Sequence, residues 1–311
     1  MRFFSKIISI LNEIFAKSNK DEEQIRFPNC FSLDGEDLDE SLRSILKITS
    51  SDVECVHIDL SEVEKISKEA LIMLLAQSEK AIDKIGKEVY IRLPRNNEAR
   101  NIVNGKWEDR HVHHTSYKKM DLSTLKEDAF CRQYRIDPKV AIQAVKELKK
   151  IDIHDLFKPL YDFLVELIGN ATEHGIRGMS LSWWFLYYKE KSSFRFVFVD
   201  MGKGIVGSYA SAKATRERTK DKSHQEVLLE ALEGKLGSST GEENRGRGLP
   251  FIMQCVKKGF ISDFVLMTNG VYSRYENGSM RTRSIPEFEG TYLSWKINKS
   301  NYIQWKNTQS T

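Results

Sequence analysis

At 311 residues the chain is long enough for two ordinary domains, and 48 Lys and Arg against 44 Asp and Glu leave a net charge of only +4. That balance, with a pI near 8.7, does not call for a nucleic-acid partner. The four cysteines (Cys30, Cys55, Cys131, Cys255) show no paired spacing, which argues against a disulfide framework or a zinc site and fits a reducing cytoplasm.

No run of residues reaches transmembrane length. Residues 1–20 carry Phe3, Phe4, Ile7, Ile8, Leu11, Ile14 and Phe15 at helical spacing, flanked by Arg2, Lys6, Lys17 and Lys20, without the continuous core or cleavage site of a signal peptide. Such an amphipathic helix either touches a membrane surface, dimerises, or packs on its own domain.

Residues 21–110 alternate strand and helix signals: strands over 25–33, 53–60 and 88–93, helices over 37–48, 68–85 and 97–103, the long one ending at Gly86. Repeated β-α-β order predicts crossover connections and a compact α/β domain. Within it, the run from Asp59 to Leu71, and Ile66-Ser67-Lys68-Glu69-Ala70-Leu71 in particular, resembles the strand-to-helix turn of STAS domains of anti-sigma-factor antagonists. In that family the turn carries a regulatory phosphoserine. Here Lys68 stands at that place and alanine replaces the glycine, with Ser67 one position away, so the resemblance implies a STAS-like interaction module, contacting a protein partner or a second copy, without phospho-switching.

Residues 111–150 read as a linker and a connecting helix. His111-Val-His113-His114 offers imidazoles but no carboxylate or thiol spacing completes a metal set, so a loop is expected. Asp137-Pro138 starts a helix, with Asp as N-cap and Pro at the first position. His154-Asp155-Leu156-Phe157-Lys158-Pro159-Leu160 is similar to the phosphoacceptor box of sensor histidine kinases. It lies too close to the next helix for a hairpin to intervene, so His154 is expected to open that helix.

Phe163, Leu164, Leu167, Ile168 and Ala171 then mark an amphipathic helix. Glu166 and Asn170 are stacked on one face, Glu173 and His174 continue it, and Gly175 supplies the cap. An amide oxygen is a hard Mg²⁺ ligand and a neighbouring carboxylate can activate a water or hydroxyl, which suits a magnesium-nucleotide site. Polar residues four apart more often form a solvated face. Two later stretches weigh against that bland reading. The first is the strand Phe194-Arg-Phe-Val-Phe-Val-Asp200, ending in Asp200-Met-Gly202-Lys-Gly204-Ile205; the second is Asn244-Arg245-Gly246-Arg247-Gly248-Leu249, which opens a helix. Aromatic residues 183–188 are expected as sheet core, 224–233 as a helix, Asn269-Gly270 as a hairpin turn, 277–278 as the start of a polar excursion, and Gly290-Thr291 as the start of a closing strand.

Over residues 151–299, these stretches resemble the GHKL superfamily of ATP-binding domains (DNA gyrase, MutL, histidine kinases, anti-sigma serine kinases). Glu166, Asn170 and His174 match its N box, Asp200, Gly202 and Gly204 its G1 box, and Gly246, Gly248 and Leu249 its G2 box. The resemblance implies a Bergerat-type α/β sandwich, a mixed sheet covered by helices on one face, with a mobile lid near 234–246 and a tail from 300 to 311. It implies ATP and Mg²⁺ as ligands. Asp200 would accept from the adenine amino group and Thr291 would assist; Gly202, Gly204 and Ile205 would line the base and sugar. Asn170 would ligate Mg²⁺, beside Glu173 and His174. Gly246, Gly248 and Leu249 would wrap the phosphates with Arg245 and Arg247 adding charge, and Glu166 would be the general base. Three activities are implied: an ATP-hydrolysing switch, a serine- or histidine-type protein kinase, and a nucleotide-sensing module without turnover.

Overall fold

The computed structural model describes residues 21–104, 116–120, 122, 131–133, 137–172, 182–237 and 248–309. The protein is mixed α/β and forms two compact units, residues 1–70 with 77–125 and residues 71–76 with 126–311.

The first unit begins with β1 (Glu22–Arg26), the short β2 (Cys30–Phe31), helix α1 (Leu38–Ser50), β3 (Cys55–Asp59), the short β4 (Lys65–Ile66) and helix α2 (Lys68–Glu79). A wide π-helical turn, Lys80–Ile85, extends α2 and ends at Gly86, whose φ of 85° gives the left-handed cap. Then come β5 (Glu88–Arg92), α3 (Asn97–Asn104) and β6 (Lys118–Lys119). Strands β1, β3 and β5 are parallel neighbours, and β6 closes the sheet antiparallel to β5. Alternation sorts their side chains. Ile25, Val56, Ile58, Val89 and Ile91 form one buried apolar row set, while Gln24, Cys55, His57, Asp59, Tyr90 and Arg92 share the other face. Helix α1 buries Leu38, Leu42 and Ile45 as its sequence spacing predicts, and Ile48 joins them while Leu46, expected in the same stripe, is only partly buried.

Residues 118–119 and 131–133 lie in the expected linker but are strands: β6 belongs to the first sheet, and β7 (Cys131–Gln133) pairs with β8 in the second. Helix α4 (Pro138–Glu147) follows, with the Asp137 carboxylate accepting from the Lys139 N–H, as Asp-Pro predicts. Next are α5 (Lys158–Asn170), β8 (Trp183–Lys189), β9 (Ser193–Asp200), α6 (Gly204–Ser211), α7 (Arg216–Thr219) and α8 (His224–Leu232). The chain continues through α9 (Gly248–Lys257), β10 (Ser262–Thr268), β11 (Val271–Glu276), β12 (Ser279–Ser284), β13 (Thr291–Asn298) and α10 (Lys299–Asn307). Asn277-Gly278 therefore closes a second hairpin and its polar excursion is the edge strand β12, whose exposed side chains suit an edge. The expected tail is largely α10, capped reciprocally by Asn298 and Asn301.

The second sheet runs β12-β11-β10-β13-β9-β8-β7, and every neighbouring pair among the described strands is antiparallel, where a mixed sheet was expected. The physical reason is β13. Strands β9 and β10 run in the same direction, joined through helices α6 to α9, but β13 inserts between them and pairs with both. Both faces of the central strands are buried: Trp183, Phe185, Phe196, Phe198 and Trp295 on one side, Trp184, Leu186, Val197, Val199 and Tyr292 on the other. Helix α5 docks on the first of these faces, where Phe163 meets Trp295 with ring centroids 4.7 Å apart and Trp295 stacks on Phe196 at 5.5 Å. Phe163→Ala is expected to cost about 3–5 kcal/mol in denaturant unfolding, because it empties the joint between α5 and the sheet; a loss under about 1 kcal/mol would show that the helix is held elsewhere.

Candidate functional site

Helix α5 carries two faces. Phe163, Leu164, Leu167 and Ile168 are buried, while Glu166 is exposed and Asn170 half-exposed. The helix lies beside α4 and α9. At the first residue of α9 is Gly248, and its bare Cα explains the residue type. A Cβ there would stand 2.6 Å from Glu166 Oε2 and 3.0 Å from Asn170 Nδ2. The carboxylate and the amide, one turn apart on α5, thus lean on the opening turn of α9. The glycine permits this close approach, which a side chain would meet by pushing the two side-chain ends aside, and its backbone angle is not the reason for it.

A second cluster is built at the end of β9. Asp200 is only 4% exposed; register places it between Trp183 of β8 and Thr291 of β13. The Gly202 N–H donates to Asp200 Oδ1 at 2.9 Å, and Thr291 lies opposite it in the register of β13. Burial is the dominant influence and pushes the carboxyl up to about 6, against the downward pull of the Gly202 N–H and the neighbouring Thr291 hydroxyl. Gly204, at φ 73°, opens α6, and a Cβ there would stand 2.2 Å from Asn269 Oδ1 and 2.7 Å from the Gly290 carbonyl oxygen. Both the left-handed angle and the lack of space demand glycine.

The first turn of α6 is capped from another element. The Ile205 N–H donates to Thr268 Oγ1 at 2.9 Å and the Gly207 N–H to Asn269 Oδ1 at 3.1 Å. Asn269 Nδ2 donates to the Lys203 carbonyl, Thr268 Oγ1 to the Gly290 carbonyl, and His224 Nδ1 to the Asn269 carbonyl. Thr268 and Asn269 therefore tie the β10–β11 turn to α6, to α8 and to the segment before β13. Asn269-Gly270 forms the turn its sequence predicts, at φ 45° and 78° as that turn type needs, but its capping role depends on a partner distant in sequence. Local propensity does not predict α6, whose two glycines disfavour a helix that these side chains then stabilise.

The expected site residues divide accordingly. Glu166, Asn170 and Gly248 come together, with Leu249 following in α9; Asp200, Gly202, Gly204, Ile205 and Thr291 come together at the β9 end. Glu173, His174, Arg245, Gly246 and Arg247 lie outside the described residues, as do the 111–114 histidines, residues 1–20 and most of the expected lid. In the first unit, Ser67 Oγ accepts from the Ala70 N–H at 3.1 Å and so caps α2, while Lys68 is the first residue of that helix. His154 is exposed just before α5, and its neighbour Asp155 pairs with Lys306 and Tyr302 of α10. Among the described residues no helix is long and apolar enough to cross a membrane. No family model and no curated protein matches this chain.

The raised carboxyl of Asp200 has a stability consequence. Between the ordinary value of 3.8 and about 6 the native state holds a proton that the unfolded chain has lost. This group therefore costs stability above about pH 6 and the cost fades as pH falls. Asp200→Asn is expected to raise stability at pH 7, by up to about 3 kcal/mol, and to do so less at pH 5. A thermal shift of the same size and sign at both pH values would show that the effect is not the buried charge.

Proposed function

We propose that the second unit binds Mg-ATP in the manner of GHKL domains and turns it over, by hydrolysis or by transfer to a protein, with the first unit serving as the partner-contacting module. The observation that carries this reading is the approach of Glu166 and Asn170 to the Cα of Gly248, which joins the acid-and-amide helix to the glycine that opens α9. The Asp200 cluster adds to it: a buried carboxylate at a strand end, flanked by Thr291 and by glycines too crowded for a side chain, is an acceptor surrounded by bare backbone. These residues fit the ligand. Asn170 would hold Mg²⁺ through its amide oxygen, and the N-terminal turn of α9 from Gly248 would present N–H groups to phosphate. Magnesium would supply charge neutralisation at the phosphates.

Glu166 is exposed on α5 and in this reading takes the proton from the attacking water or hydroxyl. Asp200 selects adenine, because guanine presents an oxygen where adenine presents an amino group. The buried position makes that selection strong, since an unpaired acceptor there is costly.

Incubation with γ-labelled ATP separates hydrolysis, which releases free phosphate, from transfer, which labels protein. Glu166→Ala is expected to lower turnover by about 10²- to 10⁴-fold while nucleotide affinity holds. Gly248→Ala should keep the fold, because the atoms it meets are the ends of flexible side chains, yet displace both from their places and depress turnover. Wild-type protein that neither binds nor consumes ATP in the presence of Mg²⁺ would sink the proposal.

A further inference from the structure

The polar face of the first sheet carries a second constellation, independent of the nucleotide reading. Cys55 and His57 are two apart on β3, so both side chains leave the same face. Glu22 of β1 is in register with Cys55. His57 Nε2 stands 3.4 Å from Cys55 Sγ and 3.3 Å from Glu22 Oε2, and the three ligand atoms lie within 4.8 Å of one another.

One ring nitrogen faces both the sulfur and the carboxylate. Nε2 carries at most one proton or one lone pair along a single direction in the ring plane, so one hydrogen bond aligns well with only one of them. A cation seated among the three atoms would be bound by all of them. The distances agree with that. Around a tetrahedral zinc with Zn–S of about 2.3 Å and Zn–N or Zn–O of about 2.0–2.1 Å, sulfur and nitrogen stand about 3.5 Å apart and nitrogen and oxygen about 3.4 Å. Rotation of Glu22, which is exposed, closes the remaining edge.

The surroundings hold the ring. His57 stacks on Tyr90 with centroids 5.1 Å apart and meets Tyr117 edge-on at 4.7 Å. Cys55 is 3% exposed.

We propose that Glu22, Cys55 and His57 form a binding site for one late first-row divalent cation, zinc foremost. Sulfur and imidazole exclude magnesium and calcium as the preferred ion. Three protein ligands leave a fourth position for water or for a group brought by a partner. The site went unseen in the sequence because Glu22 joins Cys55 and His57 only through strand pairing.

Titration of the reduced full chain with Co²⁺ alone is the test. One equivalent should produce the thiolate-to-cobalt charge-transfer band and the intense visible bands of a tetrahedral ion. Cys55→Ser should abolish the charge-transfer band, while Cys30→Ser keeps it. His57→Gln and Glu22→Gln should each weaken binding by at least about ten-fold; Glu22 is exposed, so its variant tests the site without threatening the fold. Absence of the band in the wild type, its persistence in Cys55→Ser, or unchanged affinity in Glu22→Gln would overturn the assignment.

Discussion

Docking of α5 on the aromatic face of the seven-stranded sheet is the contact on which the candidate site depends. Phe163 against Trp295, with Phe196 and Phe185 stacked behind, fixes both the height and the rotation of the helix. Once one stripe is committed to the sheet, the periodicity of the helix leaves Glu166 and Asn170 on the flank beside α9. Gly248 is the complement of that choice. Any larger residue there would displace the two side chains that give the helix its chemistry.

The end of β9 follows a different logic, in which a polar group is buried at a cost. Asp200 sits in a run of apolar strand residues and receives a bond from the Gly202 N–H, with Thr291 beside it, yet desolvation still dominates its titration. A fold seeking stability alone would not keep a carboxylate there, and such sites are where function is expected to outweigh packing. The surrounding order is supplied by Thr268 and Asn269, which replace a missing intrinsic helix propensity in α6 with side-chain caps. The hairpin turn, α6 and the start of β13 are thereby one hydrogen-bonded unit.

In the first unit a parallel sheet is apolar on one face and chemically furnished on the other. Parallel strands usually read as continuous apolar runs; here β3 alternates, and the polar rows Glu22–Cys55–Glu88 and Gln24–His57–Tyr90 cross three strands in register. The Asp59 carboxylate is the centre of a third row, Arg26–Asp59–Arg92, bonded by Gln24 and by the Ser61 N–H and facing Arg92. Burial alone would raise it, and these partners hold it below the ordinary carboxylate value.

Local signals in the chain determined most elements of both units. Apolar periodicity placed α1, α2, α5 and the strands β3, β5, β8 and β9; Asp137-Pro138 placed the start of α4, and Asn269-Gly270 its hairpin. These depend on neighbours in sequence, and there the sequence suffices. It also marked Glu166, Asn170, Asp200 and the glycines as unusual, because their residue types conflict with the plain needs of helix and strand. Pairing between distant segments belonged to the tertiary structure alone: β13 slipping between β9 and β10, β7 joining β8 from within the expected linker, Thr268 and Asn269 capping α6, and Glu22 meeting Cys55 and His57. Each depends on contacts whose partners are many residues apart, and such contacts leave no periodicity for a local reading to find.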